Sequence, residues 1–334
     1  MTLFLAAMIV ESAAAAAPNP DSCLLRVERT LELVRMDIPA MKEAADAAAR
    51  RLADGGMLWV GGQPSMVNEL SGRAGGFMMI QGLREKSPEA GDVVLFFTEE
   101  REQLPPDVAG SGALVVTFGG ANTGSFWFAN HARETGISPS LANAIPGWVF
   151  SGELVAALTR LGKMPVMYES IGAYTGAHRM QQYLKPRIWF HAAHNVKPVE
   201  HGVVGNRFVD AVGAMLRRVD VEERDELARA GSWAAKAHRA GKRLIMYSMG
   251  HLFPEEVAGT DIGSLFESAL WNSGFLHQSV PDDVYSRGDV IVHVGYQHPP
   301  VPLAAEGARG RGPGGLRGRD AAPRLRGRSG GDMG

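Results

Sequence analysis

The sequence predicts a three-layer α/β sandwich on a flavodoxin-like parallel sheet, and three observations carry that expectation. Short apolar runs at Met57-Leu58-Trp59-Val60, Val93–Phe97 and Leu114–Phe118 are fenced by Gly, Asp and Pro, the mark of strands buried on both faces. Segments with apolar residues three and four apart lie before and between them, which is the helical period. The first run ends in Gly61-Gly62 and opens directly into a helical stretch at Ser65 to Leu70, so strand, tight turn and helix follow one another.

Taken in order, the chain begins with an apolar stretch, Thr2 to Val10, followed by Glu11, Ser12, the run Ala13 to Ala17 and Pro18. That order resembles a secretory signal with a small-residue cleavage site. The missing Lys or Arg at its start and the intruding Glu11 stand against export and tilt the balance toward the cytoplasm. A mis-assigned start codon leaves the same trace, so residues 1–23 are read as a signal peptide or a disordered N-terminus. No later run reaches the roughly eighteen apolar residues that a membrane helix requires, so neither a membrane span nor a membrane partner is expected. From Leu24 to Leu52 the helical period predicts two helices ahead of the first Gly pair, and Glu153–Leu161 predicts another.

Composition narrows the class. With 334 residues, 45% hydrophobic and 21% charged, the chain is neither collagen-like, coiled-coil nor wholly disordered. The net charge of −2 hides an asymmetry, because residues 304–334 carry seven Arg against three acidic residues, which leaves the rest at −6. A nucleic-acid-binding core is therefore not expected. The single cysteine, Cys23, excludes an intramolecular disulfide and any multi-Cys metal site.

A displacement of 186 positions sets Ala48-Ala49-Arg50 on Ala234-Ala235-Lys236, Gly55 on Gly241, Leu58 on Leu244 and Glu69 on Glu255 without a gap. With a somewhat larger shift, Gly91-Asp92-Val93-Val94 falls on Gly288-Asp289-Val290-Ile291. Two matches in the same order predict a duplicated module with an incomplete second copy. The expected units are a first domain at 24–165, an insertion or linker at 166–221, a partial second domain at 222–300, and an Arg/Gly-rich tail at 301–334. The tail has too little apolar surface to offset its ordering entropy. It reads as a disordered end or as a shifted reading frame.

Chemistry concentrates on the first turn. In Gly61-Gly62-Gln63-Pro64-Ser65, backbone N–H groups and the Ser65 hydroxyl can converge on an anion near the positive end of a helix. The segment is neither of the Gly-rich nucleotide fingerprints, which argues against a nucleotide hydrolase and a dinucleotide enzyme. Glu69 lies one helical turn beyond Ser65 on the same face, and Arg73 one turn further. Glu69 is thus a candidate base for proton transfer or the partner of Arg73 in an ion pair.

Glu69-Leu70-Ser71-Gly72-Arg73 resembles the equivalent stretch of phosphoheptose isomerases, and Arg73-Ala74-Gly75-Gly76 that of a second branch of the sugar isomerase (SIS) family. The resemblance covers roughly residues 35–120 and 222–298. It implies binding of a phosphorylated or amino-sugar derivative, with aldose–ketose isomerisation through an enediol or, as the alternative, a non-catalytic sensor or structural role. A sugar phosphate or nucleotide sugar is the implied partner, without cofactor or metal, in a homo-oligomer. Gly61, Gly62, Ser65, Arg73, Thr117, Ser248 and His251 are the implied ligand-binding residues, and Glu69 the catalytic one.

Departures from the family pattern matter too. The stretch between the turn and Glu69 is short, and the metal-ligating His of the phosphoheptose branch has no counterpart. Where a second phosphate loop is expected after Val93–Phe97, the chain reads Thr98-Glu99-Glu100-Arg101, whose carboxylates would repel phosphate. In the second copy, Tyr247-Ser248-Met249-Gly250-His251 keeps a Gly and a hydroxyl, with Glu255 or Glu256 opposite Glu69. The hydroxyl-rich loop Thr117 to Ser125 is either a second anion cradle or a surface loop. His191, His194 and His201 are either metal ligands or satisfied structural and substrate-contacting histidines. Tyr168 to Arg179 has the mixture of a sugar-contacting loop or of an insertion packed on a second subunit. No Gly-x-Ser-x-Gly elbow occurs.

Overall fold

The computed structural model describes residues 20–83, 86–99, 102–120, 124–170, 176–249, 263–271 and 286–294. The apolar N-terminal stretch, His251, Glu255, Glu256 and the tail lie outside the described residues.

Helix α1 spans Pro20–Ala53, one continuous helix of 34 residues where two were expected. Pro39 sits inside it on the exposed side. A proline forfeits its own N–H bond and crowds the preceding turn, but here Ile38 and Met41, 2% and 0% exposed, anchor the chain on both sides of it. Tertiary packing thus carries the helix through a residue that usually ends one.

After α1 come β1 (Leu58–Gly62), α2 (Pro64–Leu70), β2 (Ile80–Gly82), β3 (Val93–Phe97), α3 (Pro106–Ala109), β4 (Leu114–Phe118), β5 (Phe126–Phe128), α4 (Ala132–Thr135) and α5 (Pro139–Arg160). The five strands form one sheet in the order β2-β1-β3-β4-β5, every pair parallel, with Leu58 opposite both Ile80 and Val93. This is the expected flavodoxin-like α/β sheet.

Alternation along the strands divides the side chains between two faces. Leu58, Val60, Val93, Leu95, Phe97, Leu114, Val116 and Phe118 join α1, α2 and α5 in the main core. Trp59, Val94, Phe96 and Val115 make a smaller cluster on the other face, covered by Val108 of the four-residue α3 and by loop residues. α5 is the one described helix apolar and long enough to cross a membrane; it is buried in this core.

Beyond α5 lie α6 (Gly176–Leu184), α7 (Val203–Glu222) and α8 (Arg224–Arg239). Within the stretch 166–221, expected as an insertion or linker, Val209, Val212 and Leu216 of α7 enter the main core. A wholly buried carboxylate holds that helix in place: Glu153 of α5 accepts hydrogen bonds from Gly202 N and Gly205 N, both at 2.8 Å, and stands 2.6 Å from His201 Nδ1.

A second, three-stranded sheet contains β6 (Leu244–Met249), β7 (Phe266–Trp271) and β8 (Val290–Val294) in the order β7-β6-β8, again all parallel. Leu244 stands opposite Phe266 and Val290, as Leu58 stands opposite Ile80 and Val93. The turn leading into the third strand repeats as well. Asp92 accepts from Met57 N (2.7 Å) and Glu89 N (2.9 Å), and Asp289 from Arg243 N (3.0 Å) and Ser286 N (2.8 Å).

Candidate functional site

In a sheet of this order the strand sequence reverses between β1 and β3, and the crevice beyond their carboxyl ends is where such folds bind ligands. Two glycines shape it. Gly62, the last residue of β1, has φ +87°, and a Cβ there would lie 2.0 Å from the Phe97 carbonyl oxygen; Gly119, after β4, has φ +122° and would meet the Thr98 oxygen at 2.1 Å. Both need the left-handed region and a bare α-carbon. They let the neighbouring chains close on the end of β3.

Side chains from four elements meet at this point. Gln63, at the start of α2, follows Gly62, and its N–H bonds Phe97 O at 2.9 Å. Ser138 caps α5 by accepting from Leu141 N, which places Ser140 and Asn143 on successive turns at the helix's amino end. Asn130 follows β5, and Thr98 and Glu99 follow β3.

These residues form a directed chain of hydrogen bonds. Asn130 Nδ2 donates to Asn143 Oδ1 (3.0 Å), and Asn143 Nδ2 donates to Gln63 Oε1 (2.9 Å) and Thr98 O (3.0 Å). Gln63 Nε2 then donates to Glu99 Oε1 (2.9 Å) and Ser140 Oγ (2.7 Å). Asn143, Asn130 and Gln63 are 0%, 5% and 7% exposed, whereas Glu99 reaches solvent. A fully bonded buried amide chain is rigid, and each link polarises the next. Ser140 Oγ also lies 3.2 Å from Ser65 Oγ, so one of the two hydroxyl protons remains to point outward.

At the far end of the chain Asn130 Oδ1 accepts from Ala132 N, and His131 between them adopts a left-handed conformation (φ 62°). Its Nε2 is 2.7 Å from Asp37 Oδ2, and its Nδ1 is 3.5 Å from Glu134 Oε2. The hydrogen bond to Asp37 is the main cause that raises the imidazole pKa, against the opposing effect of burial.

Glu69 and Arg73 form the i,i+4 ion pair that their spacing allows, at 2.5 Å. The other Glu69 oxygen accepts from Trp148 Nε1 at 2.9 Å. Burial pushes the carboxyl pKa up against the pull of Arg73 and Trp148. Both oxygens are thus occupied by protein, one helical turn along α2 from Ser65. Arg73 Nε and Nη2 are buried without a hydrogen-bond partner, the contact of Nη2 with Glu69 being an ion pair alone.

Of the other expected residues, Gly61 and Gly62 close β1, and Gly61 faces Leu83 and Phe96 on the thinly covered side of the sheet. A cavity of about 270 Å³ opens there, lined by Gly62, Leu83, Lys86, Ser87, Phe96 and Asp107 among others. Thr117 is fully buried, with its hydroxyl unbonded against Gly124, so it is closed to a ligand from solvent. The backbone of Ser248 lies in β6, and its side chain, like His251, is outside the described residues. His201 is paired with Glu153, His194 Nε2 lies 3.2 Å from Gly162 O, and His191 stands edge-on to Tyr183. Among the described residues no cluster could hold a metal ion. Tyr168 exchanges backbone bonds with Gly75 and Gly76, beside the Arg73 turn.

Sequence reasoning missed Asn130, Ser140 and Asn143, and set Glu99 aside as a phosphate repellent. One signal was present: Asn143 interrupts an otherwise apolar stretch of α5, and a buried amide on such a helix requires partners.

No family model matches the chain, and no curated protein is similar to it. Among solved structures it is similar to a protein from Silicibacter pomeroyi DSS-3 described as a "putative phosphosugar isomerase", at 12% identity and a TM-score of 0.28. The likeness covers 67% of this chain and 63% of that one, and at that score it carries no argument about fold or ligand.

Proposed function

We propose that the crevice between β1 and β3 binds a sugar derivative, phosphorylated or amino. The amide chain ending at Glu99 and Ser140 carries the proposal. It offers a carboxylate acceptor and, through Ser65 and Ser140, a hydroxyl donor a few ångströms away. Polyols are recognised by such mixed donor and acceptor sets, because each hydroxyl both gives and takes a hydrogen bond. The reading is one of binding. Isomerisation by way of an enediol requires a carboxylate free to move a proton, and Glu69 has both oxygens engaged.

We further propose that the two sheets are copies of one module. The shared strand order, the registers of Leu58 and Leu244 and the matching Asp92 and Asp289 turns support this.

The test is thermal melting of the chain with hexoses, hexosamines and hexose phosphates, since a ligand that binds only the folded state raises its stability. Ser65→Ala is expected to weaken the stabilisation by about 1 to 3 kcal/mol, the loss of a hydrogen bond to a polar or charged ligand group. An unchanged shift in the folded variant would move the ligand elsewhere. For any sugar that binds, failure to exchange its C2 hydrogen with solvent deuterium is expected. Exchange that Glu69→Gln abolishes would instead make the protein an isomerase.

A further inference from the structure

We infer that Glu99 sets the charge of the ligand: the crevice takes the ammonium group of an amino sugar and turns sugar phosphates away. This rests on the sugar-binding reading above and deepens it.

Three amides in sequence, Asn130, Asn143 and Gln63, donate toward Glu99 and none donates back. Such a chain ends naturally on an anion, because the aligned dipoles solvate the charge from the protein side. The second Glu99 oxygen is bonded by no described residue. The carboxylate is therefore held by one oxygen and presented by the other at the ligand-binding edge of the sheet. Glu99 N donates to Glu102 Oε2 at 2.9 Å.

What surrounds it favours a cation. The groups bonded to Gln63, Ser65, Ser140, Asn143 and Glu99 are amides, hydroxyls, backbone and carboxylate; no described Lys, Arg or His is among them. Arg73, the guanidinium nearest in sequence to the turn, is committed to Glu69. The amino end of α5, which would otherwise attract a phosphate, has a carboxylate two hydrogen bonds away. Gln63 Nε2 lies 2.9 Å from Glu99 Oε1 and 2.7 Å from Ser140 Oγ, so Ser140 Oγ stands within about 6 Å of that charge and a phosphate bound to it within about 9 Å. At about 6 to 9 Å a dianion beside a carboxylate loses about five- to tenfold in affinity even in a water-like dielectric, and an ammonium gains about two- to threefold.

The experiment compares melting of the full chain with glucosamine, glucose and glucose 6-phosphate at about pH 6, where the amine is protonated. The expected affinity order is glucosamine, then glucose, then glucose 6-phosphate, with about tenfold or more between the first and the last. Glu99→Gln, a change at an exposed position, is expected to bring the three within about threefold of one another. Added salt is expected to narrow the wild-type preference through screening. Glucose 6-phosphate binding as tightly as glucosamine, or an order unchanged in Glu99→Gln, would overturn the inference and leave the sugar-binding reading intact. Flat melting curves with all three sugars would overturn both.

Discussion

Around Asp92 and around Asp289 the backbone makes nearly the same turn, yet the helices beside those two turns meet different surroundings. In α1, Met41, Ala44 and Ala48 are each 0% exposed, enclosed by the sheet, α5 and α7. The positions 186 residues on, Leu227, Ala230 and Ala234 of α8, are half-buried or exposed, and Trp233 is 61% exposed. Among the described residues, the same local turn thus stands beside a closed core in one region and an open helix layer in the other. Turn chemistry fixes how three strands meet; covering helices decide how firmly they are held and whether polar side chains can be buried over them.

The comparison breaks most easily at α7, the helix that closes the first region. Glu153→Ala leaves Gly202 N and Gly205 N without their acceptor and His201 without its neighbouring carboxylate, and is expected to cost about 3 to 5 kcal/mol, the scale for unpairing buried polar groups. Denaturant unfolding measures it. A loss below about 1 kcal/mol would mean that α7 contributes little to the closed core.

Matched substitutions at the two turns sharpen the contrast. Asp92 also accepts from Trp59 Nε1 at 2.8 Å and is 7% exposed, so Asp92→Ala is expected to remove about 2 to 3 kcal/mol from global stability. Asp289→Ala is expected to cost under about 1 kcal/mol in the same transition, because the open layer unfolds locally at little expense to the rest. Native-state hydrogen exchange at β3 and β6 separates the two effects. Equal losses would make the regions a single cooperative unit.

The smallest effect concerns His131, which ties α4 to α1 through Asp37. Its pKa is raised in the fold by that hydrogen bond, so its stabilisation is fully present below its ordinary 6.5 and is lost as pH rises through the higher folded value. His131→Asn, which tolerates the left-handed backbone, is expected to cost about 1 kcal/mol below the ordinary value and progressively less above it. A pH-independent difference would remove the imidazolium from the account.

Much of the sheet was legible in the sequence. Val93–Phe97 and Leu114–Phe118 are apolar throughout because both faces of a central parallel strand are covered. The displacement of 186 paired Leu58 with Leu244, and each of these residues opens the middle strand of a three-strand parallel set. The three-residue strands β2 and β5 were not foreseen, being too short for any period to register. The continuity of α1 through Pro39 was hidden because packing, not propensity, sustains it. Of the residues in the proposed crevice, only Gly62 and Ser65 were marked by the sequence. Its amide chain joins residues 63, 99, 130, 140 and 143, which no sequence interval connects, and Glu99 was weighed against phosphate alone. Once the amides point toward it, the same carboxylate becomes the most informative residue in the crevice.

Trp233 gives the open layer an optical signature of its own. Trp59 lies at 7% exposure under the first sheet, out of reach of an aqueous quencher, while Trp233 stands in solvent on α8. Trp127 of β5 is 40% exposed as well, so iodide or acrylamide reaches both regions, and the share of Trp233 is the quenching lost on a single Trp233→Phe replacement. The difference between the two samples follows the second region without labels.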